Sequence, residues 1–300
     1  MDEIERLLES VGCTGSVCVE DVDGAGEVAI APDEPMVAAS VFKVLVAVEA
    51  ERQFAAGRVD PSRRVLLRAR HRTPGPAGFS LYQDDVEVSV RDLLVPMLTV
   101  SDNVATDELL ALLGLDSCNA TAALLGMSGT FIVSNLQDTL DSIAQAAGFR
   151  RWAELAAHSR DAPPRQAEAE EAAISASPAL TAATATRTTA RDMCRLLRTI
   201  WSDRACPADG CHTIRTLMYQ QLTRDRLAAA FPPPARVAAK SGGLVGLIRN
   251  EVGVIDYPDG RRYVAAVFTR RKDSSASPAQ INAAIGTIAA TAVNHLTARR

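Results

Sequence analysis

Strand-like segments stand at the two ends of this chain, and that placement constrains its fold more than any other feature. SVCVEDV (16–22) and EVAIAP (27–32) alternate apolar and polar residues about a DGAG turn, which predicts a β-hairpin. RVAAKSGG, LIRNEVGVIDY and RRYVAAVFTR, between 236 and 270, alternate or run apolar, with GLVG and PDG as their turns. An isolated hairpin is marginal in water, so the five strands are expected to meet in one antiparallel sheet. The interval 40–222 reads mostly as helix. SVRDLLVPMLTVSDNVATDELLALLG has helical spacing with Ser89 as N-cap, TTARDMCRLLRTIW starts in the same way, and LDSIAQAAGFRRWAELAAH reads as one helix. MDEIERLLESVG and SPAQINAAIGTIAATAVNHLTARR are terminal helices, the second with Ser277 and Pro278 as cap and first turn. The Ala-, Glu-, Ser- and Thr-rich stretch 161–189 is loop or weak helix. The expected architecture is α/β, an α+β sandwich in one domain over 1–300. Residues 1–39 and 223–300 give the five-stranded antiparallel sheet, and 40–222 an inserted helical subdomain.

Composition narrows the function classes. A chain of 300 residues, 47% hydrophobic and 23% charged, can bury a large core. A net charge of −4, with arginines scattered among acids, supplies no basic footprint for nucleic acid. No apolar run reaches the roughly 18 to 20 residues that span a bilayer, and the acidic start is unlike an export signal, so a cytoplasmic protein with no membrane partner is expected. Six cysteines in a chain this long are read as buried reduced thiols. Cys13 and Cys18 would face opposite sides of a strand. Cys206 and Cys211, around PADG, could close a small loop, and His212 beside them does not make a zinc site. No metal or cofactor is expected.

Of 32 basic residues only Lys43, Lys240 and Lys272 are lysines. In VAASVFKVLV (37–46) Ser40 and Lys43 stand on one helix face, within hydrogen-bonding reach. A lysine ordinarily titrates near 10.4, but desolvation by Val41, Phe42, Val44 and Leu45 favours its neutral form, which can take the serine proton. Arginine cannot substitute, because its guanidinium stays charged. SxxK alone is a weak signal. It is joined by Ser101-Asp102-Asn103 at a break in the helical tract and by Lys240-Ser241-Gly242 on a strand.

In this order and on these elements the three motifs resemble the penicillin-recognising serine enzymes, most closely the class A β-lactamase-like group, over about residues 25–133 and 186–270. The resemblance implies the same fold. It also implies Ser40 as the nucleophile of an acyl-enzyme, Lys43 as its general base, Ser101 as the shuttle to the leaving nitrogen and Lys240 as a positive charge beside it. Asn103 would bind Lys43 and the substrate amide, and the N–H groups of Ser40 and Gly243 would form the oxyanion hole. Ser241 and Arg249 would hold a substrate carboxylate. For Asp102 a structural role, tying the loop through backbone hydrogen bonds, is expected, and for Tyr82 a structural one. His71, His158, His212 and His295 lie in no recognisable nucleophile context.

The pattern departs from the family at 134–186, a long insertion where the family carries the deacylating glutamate in an E-x-x-x-N loop. Glu154, in RWAEL, is one place late for that role, a rotation of about 100° on a helix. Glu168, Glu170 and Glu171 form an acidic run that reads as a solvated face. Three functions stay open: a serine hydrolase or acyltransferase acting through acyl-Ser40 on an amide, ester or lactam with a carboxylate, a working β-lactamase, and a non-catalytic ligand-binding protein or sensor.

Overall fold

The computed structural model describes residues 2–24, 26–160, 164–272 and 275–298, without the side chains of 164–168. The chain begins with helix α1 (Asp2–Ser10) and strands β1 (Cys13–Asp21), β2 (Glu27–Ile30) and β3 (Met36–Val37). Helix α2 (Lys43–Ala55) follows, then β4 (Arg64–Leu67), β5 (Val86–Ser89) and helices α3 (Leu94–Thr99), α4 (Asn103–Leu113) and α5 (Leu115–Leu124). Next come α6 (Leu136–Ala146), α7 (Trp152–His158), α8 (Pro164–Ser175), β6 (Arg187–Thr188), α9 (Ala190–Trp201), α10 (Ala208–Tyr219) and the single turn α11 (Leu227–Ala230). Strands β7 (Arg236–Leu244), β8 (Ile248–Asp256) and β9 (Arg262–Arg271) and helix α12 (Pro278–Thr297) close the chain.

The predicted sheet forms in the order β2-β1-β9-β8-β7, antiparallel throughout. β1 pairs with β9 from Cys13↔Arg271 to Asp21↔Tyr263, so the two ends of the chain lie side by side. Strand alternation then sorts the side chains into two cores. Val17, Val19, Val237, Tyr263 and Val267 pack with α1 and α12 on one face. Cys18, Ala238, Val252, Val264 and Phe268 pack with the helical body on the other. Cys13 and Cys18 accordingly face opposite cores. Within the helical body α2 is buried on nearly every side, from Lys43 through Ala50, which is why its sequence is apolar almost all round. Ser277 caps α12 in a full capping box with Gln280, and Thr189 caps α9 through Asp192 N.

Two expectations are corrected. The interval 40–222 also holds a short hairpin, β4 against β5. LDSIAQAAGFRRWAELAAH is two helices, α6 and α7, because Gly148 between them sits at φ 86°, a left-handed conformation no helix continues through. The stretch 161–189 supplies α8 and a 3-10 turn at Pro178–Leu180. Ile143 of α6 and Leu180 pack with Val37, Leu247 and Ile248 in a third small core, so this inserted segment seats on the β7–β8 turn.

Candidate active site

Ser40 lies in a 3-10 turn, Ala39–Phe42, that runs directly into α2. Ala39 before it takes φ 45°, and Ser101 across the site takes φ 61°. Left-handed backbone at non-glycine residues is costly and gathers where a site needs a particular side-chain direction. Strand β7 presses on this turn from the other side. A Cβ on Gly242 would stand 3.2 Å from the Ala38 carbonyl oxygen and from Val41, and 3.3 Å from Ala39 Cβ. Asn250 of β8 adds hydrogen bonds to the carbonyls of Val37 (2.9 Å) and Ala38 (3.2 Å).

Lys43 is fully buried at the start of α2. Its Nζ donates to Ser101 O at 2.7 Å, Asn103 Oδ1 at 2.9 Å, Ser101 Oγ at 3.3 Å and Asp102 O at 3.4 Å. Ser40 Oγ is not among these partners, so the expected Ser40–Lys43 hydrogen bond is replaced by contacts to the SDN segment. Burial pushes the amine down to about 7, against the opposing pull of Asp102 and Asp107. Lys240 is also fully buried, its Nζ donating to Ser241 O at 2.8 Å. Burial first, and then the charge of Lys43, push it well below the ordinary lysine range. Lys240 is therefore a cation under pressure to lose its charge, which the sequence did not disclose.

The SDN segment is held from behind. Asp102 caps α4 through Ala105 N (3.1 Å) and receives Phe79 N (2.6 Å), the structural role expected of it. Asn103 Nδ2 donates to Pro74 O at 2.8 Å, which turns its Oδ1 to Lys43.

Ser40, Asn103 and Gly243 line one narrow cleft of about 60 Å³, whose walls are mainly apolar: Val37, Phe42, Leu136, Leu140, Ala179 and Leu244. Lys43, Lys240 and Ser241 lie buried behind that surface. Arg249 is placed elsewhere. It pairs with Gly243 across β7–β8, and Asn250 is the residue that turns toward the Ser40 turn. Arg249, one residue earlier, takes the opposite face and donates to Asn282 Oδ1 of α12 at 3.2 Å. Arg226, which no motif flagged, reaches the strand end instead. It is buried and donates to Gly242 O at 2.8 Å and Asn250 O at 2.5 Å.

Among the described side chains no carboxylate lines the cleft. Glu154 accepts from Arg150 N (3.0 Å), Glu170 meets His158 (3.0 Å) and Ser159, and Glu171 meets Arg271. Glu168 lies outside the described side chains. Helix α6 occupies that side of the cleft, its first N–H groups, Leu136 and Gln137, held by Asp107 of α4 at 2.7 and 2.9 Å. Tyr82 packs edge-on to Phe79, 5.5 Å between centroids, and neither Tyr82 nor any histidine lines the cleft.

A five-stranded antiparallel sheet joined to a helical body, with SxxK, SDN and KSG converging on one cleft, is the architecture of the penicillin-recognising serine enzymes. The chain belongs to the β-lactamase enzyme family, whose model matches residues 1–296. It is similar to the β-lactamase regulatory protein BlaB of Streptomyces cacaoi, 29% identical, over 89% of this chain and 88% of that one. The fold matches the β-lactamase of Sphaerobacter thermophilus at TM-score 0.76, with 22% identity over 100% of this chain and 97% of that one. It matches the class A β-lactamase of Mycobacterium abscessus at TM-score 0.78, with 17% identity over 99% and 98%. Among the described residues no helix is long and apolar enough to cross a membrane.

Proposed function

We propose that this protein forms an acyl-enzyme on Ser40, as a serine hydrolase or acyltransferase, from a small amide, ester or lactam that carries a carboxylate. The observation that carries the proposal is Lys43, buried, pushed down to about 7 and hydrogen-bonded into the SDN segment. A neutral amine has two N–H groups and one lone pair. Its two shortest contacts, Ser101 O and Asn103 Oδ1, can only accept, so they use both N–H groups and leave the lone pair for a hydroxyl. Ser40, whose Oγ makes no hydrogen bond to Lys43 in the resting site, turns to that lone pair and gives it its proton as Oγ bonds to the acyl carbon. The proton passes by way of Ser101 to the leaving nitrogen or oxygen as the old acyl bond breaks. The N–H groups of Ser40 and Gly243 face the developing oxyanion, and Lys240 with Ser241 receives the carboxylate, whose negative charge favours the protonated form of Lys240.

The cleft's mainly apolar walls favour an apolar acyl part. Six unlinked cysteines suit a reducing, cytoplasmic setting. With no carboxylate among the described side chains of the cleft, deacylation is slow or falls to an added amine, alcohol or differently activated water. Intact-mass analysis after exposure to penicillins and activated esters tests the reading: one acyl adduct is expected, absent in Ser40→Ala. No adduct from any donor, or one that persists in that variant, overturns it.

A second reading, a ligand-binding regulator without turnover, is favoured by the regulatory relative in Streptomyces cacaoi. It predicts that Lys43→Arg keeps ligand binding and biological effect intact, whereas the acyl-enzyme reading predicts their loss.

A further inference from the structure

We propose that Cys18, Glu20 and Cys194 form a binding site for a borderline-soft divalent cation, Zn²⁺ foremost, between β1 and α9. None of the three lines the cleft. Alternation along β1 turns Cys18 and Glu20 to the same face, and α9 lays Cys194 over them from 176 residues away. That separation is why no spacing in the sequence announces the site. Cys194 Sγ reaches Cys18 O at 3.2 Å, Cys18 Sγ lies 3.5 Å from Glu20 Oε1, and one donor atom from each of the three residues falls within 4.8 Å of the others.

The 3.5 Å between Cys18 Sγ and Glu20 Oε1 is what a tetrahedral zinc requires, and the Cys194 separations fall within 4.8 Å. Zn–S near 2.3 Å and Zn–O near 2.0 Å place an S···O edge at about 3.5 Å and an S···S edge at about 3.8 Å. Glu20 Oε2 is held by Arg198 Nη1 at 2.9 Å, which fixes the carboxylate with Oε1 turned to the thiols, as an outer partner orients a ligand. The charges also balance, since two thiolates and one carboxylate offset a divalent cation and one guanidinium. Thiols alone would pack here as small apolar groups. An almost fully buried carboxylate against two of them, 8% exposed, has no such apolar explanation. Glu27 stands directly opposite Glu20 in the β1–β2 register, its Oε2 3.9 Å from Cys18 Sγ and paired with Arg191, so that it supplies a fourth position while the Arg191 guanidinium offsets its charge. A solvent-connected hollow of about 400 Å³ reaches Glu20 and Glu27, lined also by Arg191, Arg195, Arg198 and Arg204.

The test is titration of the reduced, chelator-stripped chain with Co²⁺, and equilibrium dialysis with Zn²⁺ read by elemental analysis. One equivalent of metal is expected, with a thiolate-to-cobalt charge-transfer band and tetrahedral d–d bands. Cys194→Ala should abolish the band, and Glu20→Gln and Arg198→Gln should weaken binding by about 10- to 100-fold. Cys206→Ser with Cys211→Ser should leave binding unchanged. Sub-stoichiometric uptake, cobalt spectra without the thiolate band, or affinity unaltered in a folded Glu20→Gln chain overturns the proposal. Should Cys194→Ala fail to fold, the half-exposed Arg198 variant decides.

Discussion

At Lys43 a single side chain carries the proposed chemistry and a cost in stability. Its ordinary value is 10.5 and its folded one about 7, so the folded protein releases this proton earlier than the unfolded chain does. Two pH effects follow. The acylation rate should rise through about pH 7 with the loss of one proton, and Lys43→Arg should lose about 10²- to 10⁴-fold at every pH, measured by adduct mass against time. A flat profile in the wild type would remove Lys43 as the base. For stability, the unfolded chain binds more protons between about 7 and 10.5, so stability rises with pH across that window and the cost of burying the charge is complete below it. Lys43→Met should therefore be more stable than the wild type below pH 7, with a gap that narrows by about 1.4 kcal/mol per pH unit through the window in urea unfolding. A gap independent of pH would mean that folding does not lower the Lys43 amine from its ordinary range. Lys43 was legible because its neighbours and its motif are local. Arg249 was not, since which face of β8 it takes depends on its register with β7, and Arg226 belongs to no motif at all.

Among the elements, β7 and α6 shape the cleft from opposite sides. Gly242 is glycine because the Ser40 turn comes within 3.2 Å of where a Cβ would sit. Gly242→Val adds two further methyl groups at that contact, so it should push the turn away from β7, cost about 1 to 3 kcal/mol and abolish the adduct. Retention of normal acylation would show that the turn does not rest on β7. On the other wall, Leu140→Ala removes an apolar side chain of α6 that lines the cleft. Because Leu140 is 8% exposed the change should cost about 2 kcal/mol, yet it should speed adduct formation with bulky penicillins more than with small activated esters. Equal effects on both donors would show that α6 does not set acyl size. The β7–β8 and β8–β9 hairpins could be read from alternation and turns. The β4–β5 pair could not, because RVLL and VEVS are four residues each and widely separated. Nor could the seating of α6 on Asp107, a contact between positions 29 residues apart that has no local signature.

Across the whole molecule the sheet binds the two ends of the chain into one structure, and the α12 face of that sheet supports the site on the other face. Asn282 of α12 accepts from Arg226 Nε at 3.1 Å and from Arg249 Nη1 at 3.2 Å, while Arg226 passes through to the carbonyls of Gly242 and Asn250. Gly286 lets α12 lie against α11, since a Cβ there would stand 2.5 Å from Arg226 O. One line of contacts thus runs from α12 through Arg226 to the strand that faces Ser40. Arg226→Met should strip the carbonyls of Gly242 and Asn250 of this donor and leave Asn282 to Arg249, cost about 3 to 5 kcal/mol, and lower acylation even though the side chain lies behind the cleft. Asn282→Ala removes only the far end of that line. It should cost about 1 to 3 kcal/mol and reduce acylation less than Arg226→Met does. Urea unfolding and adduct kinetics on the two variants separate the possibilities. If both lose the same stability but acylate at the wild-type rate, Arg226 holds the sheet and α12 together without positioning Gly243, and the support for the oxyanion N–H must come from the β7–β8 pairing alone.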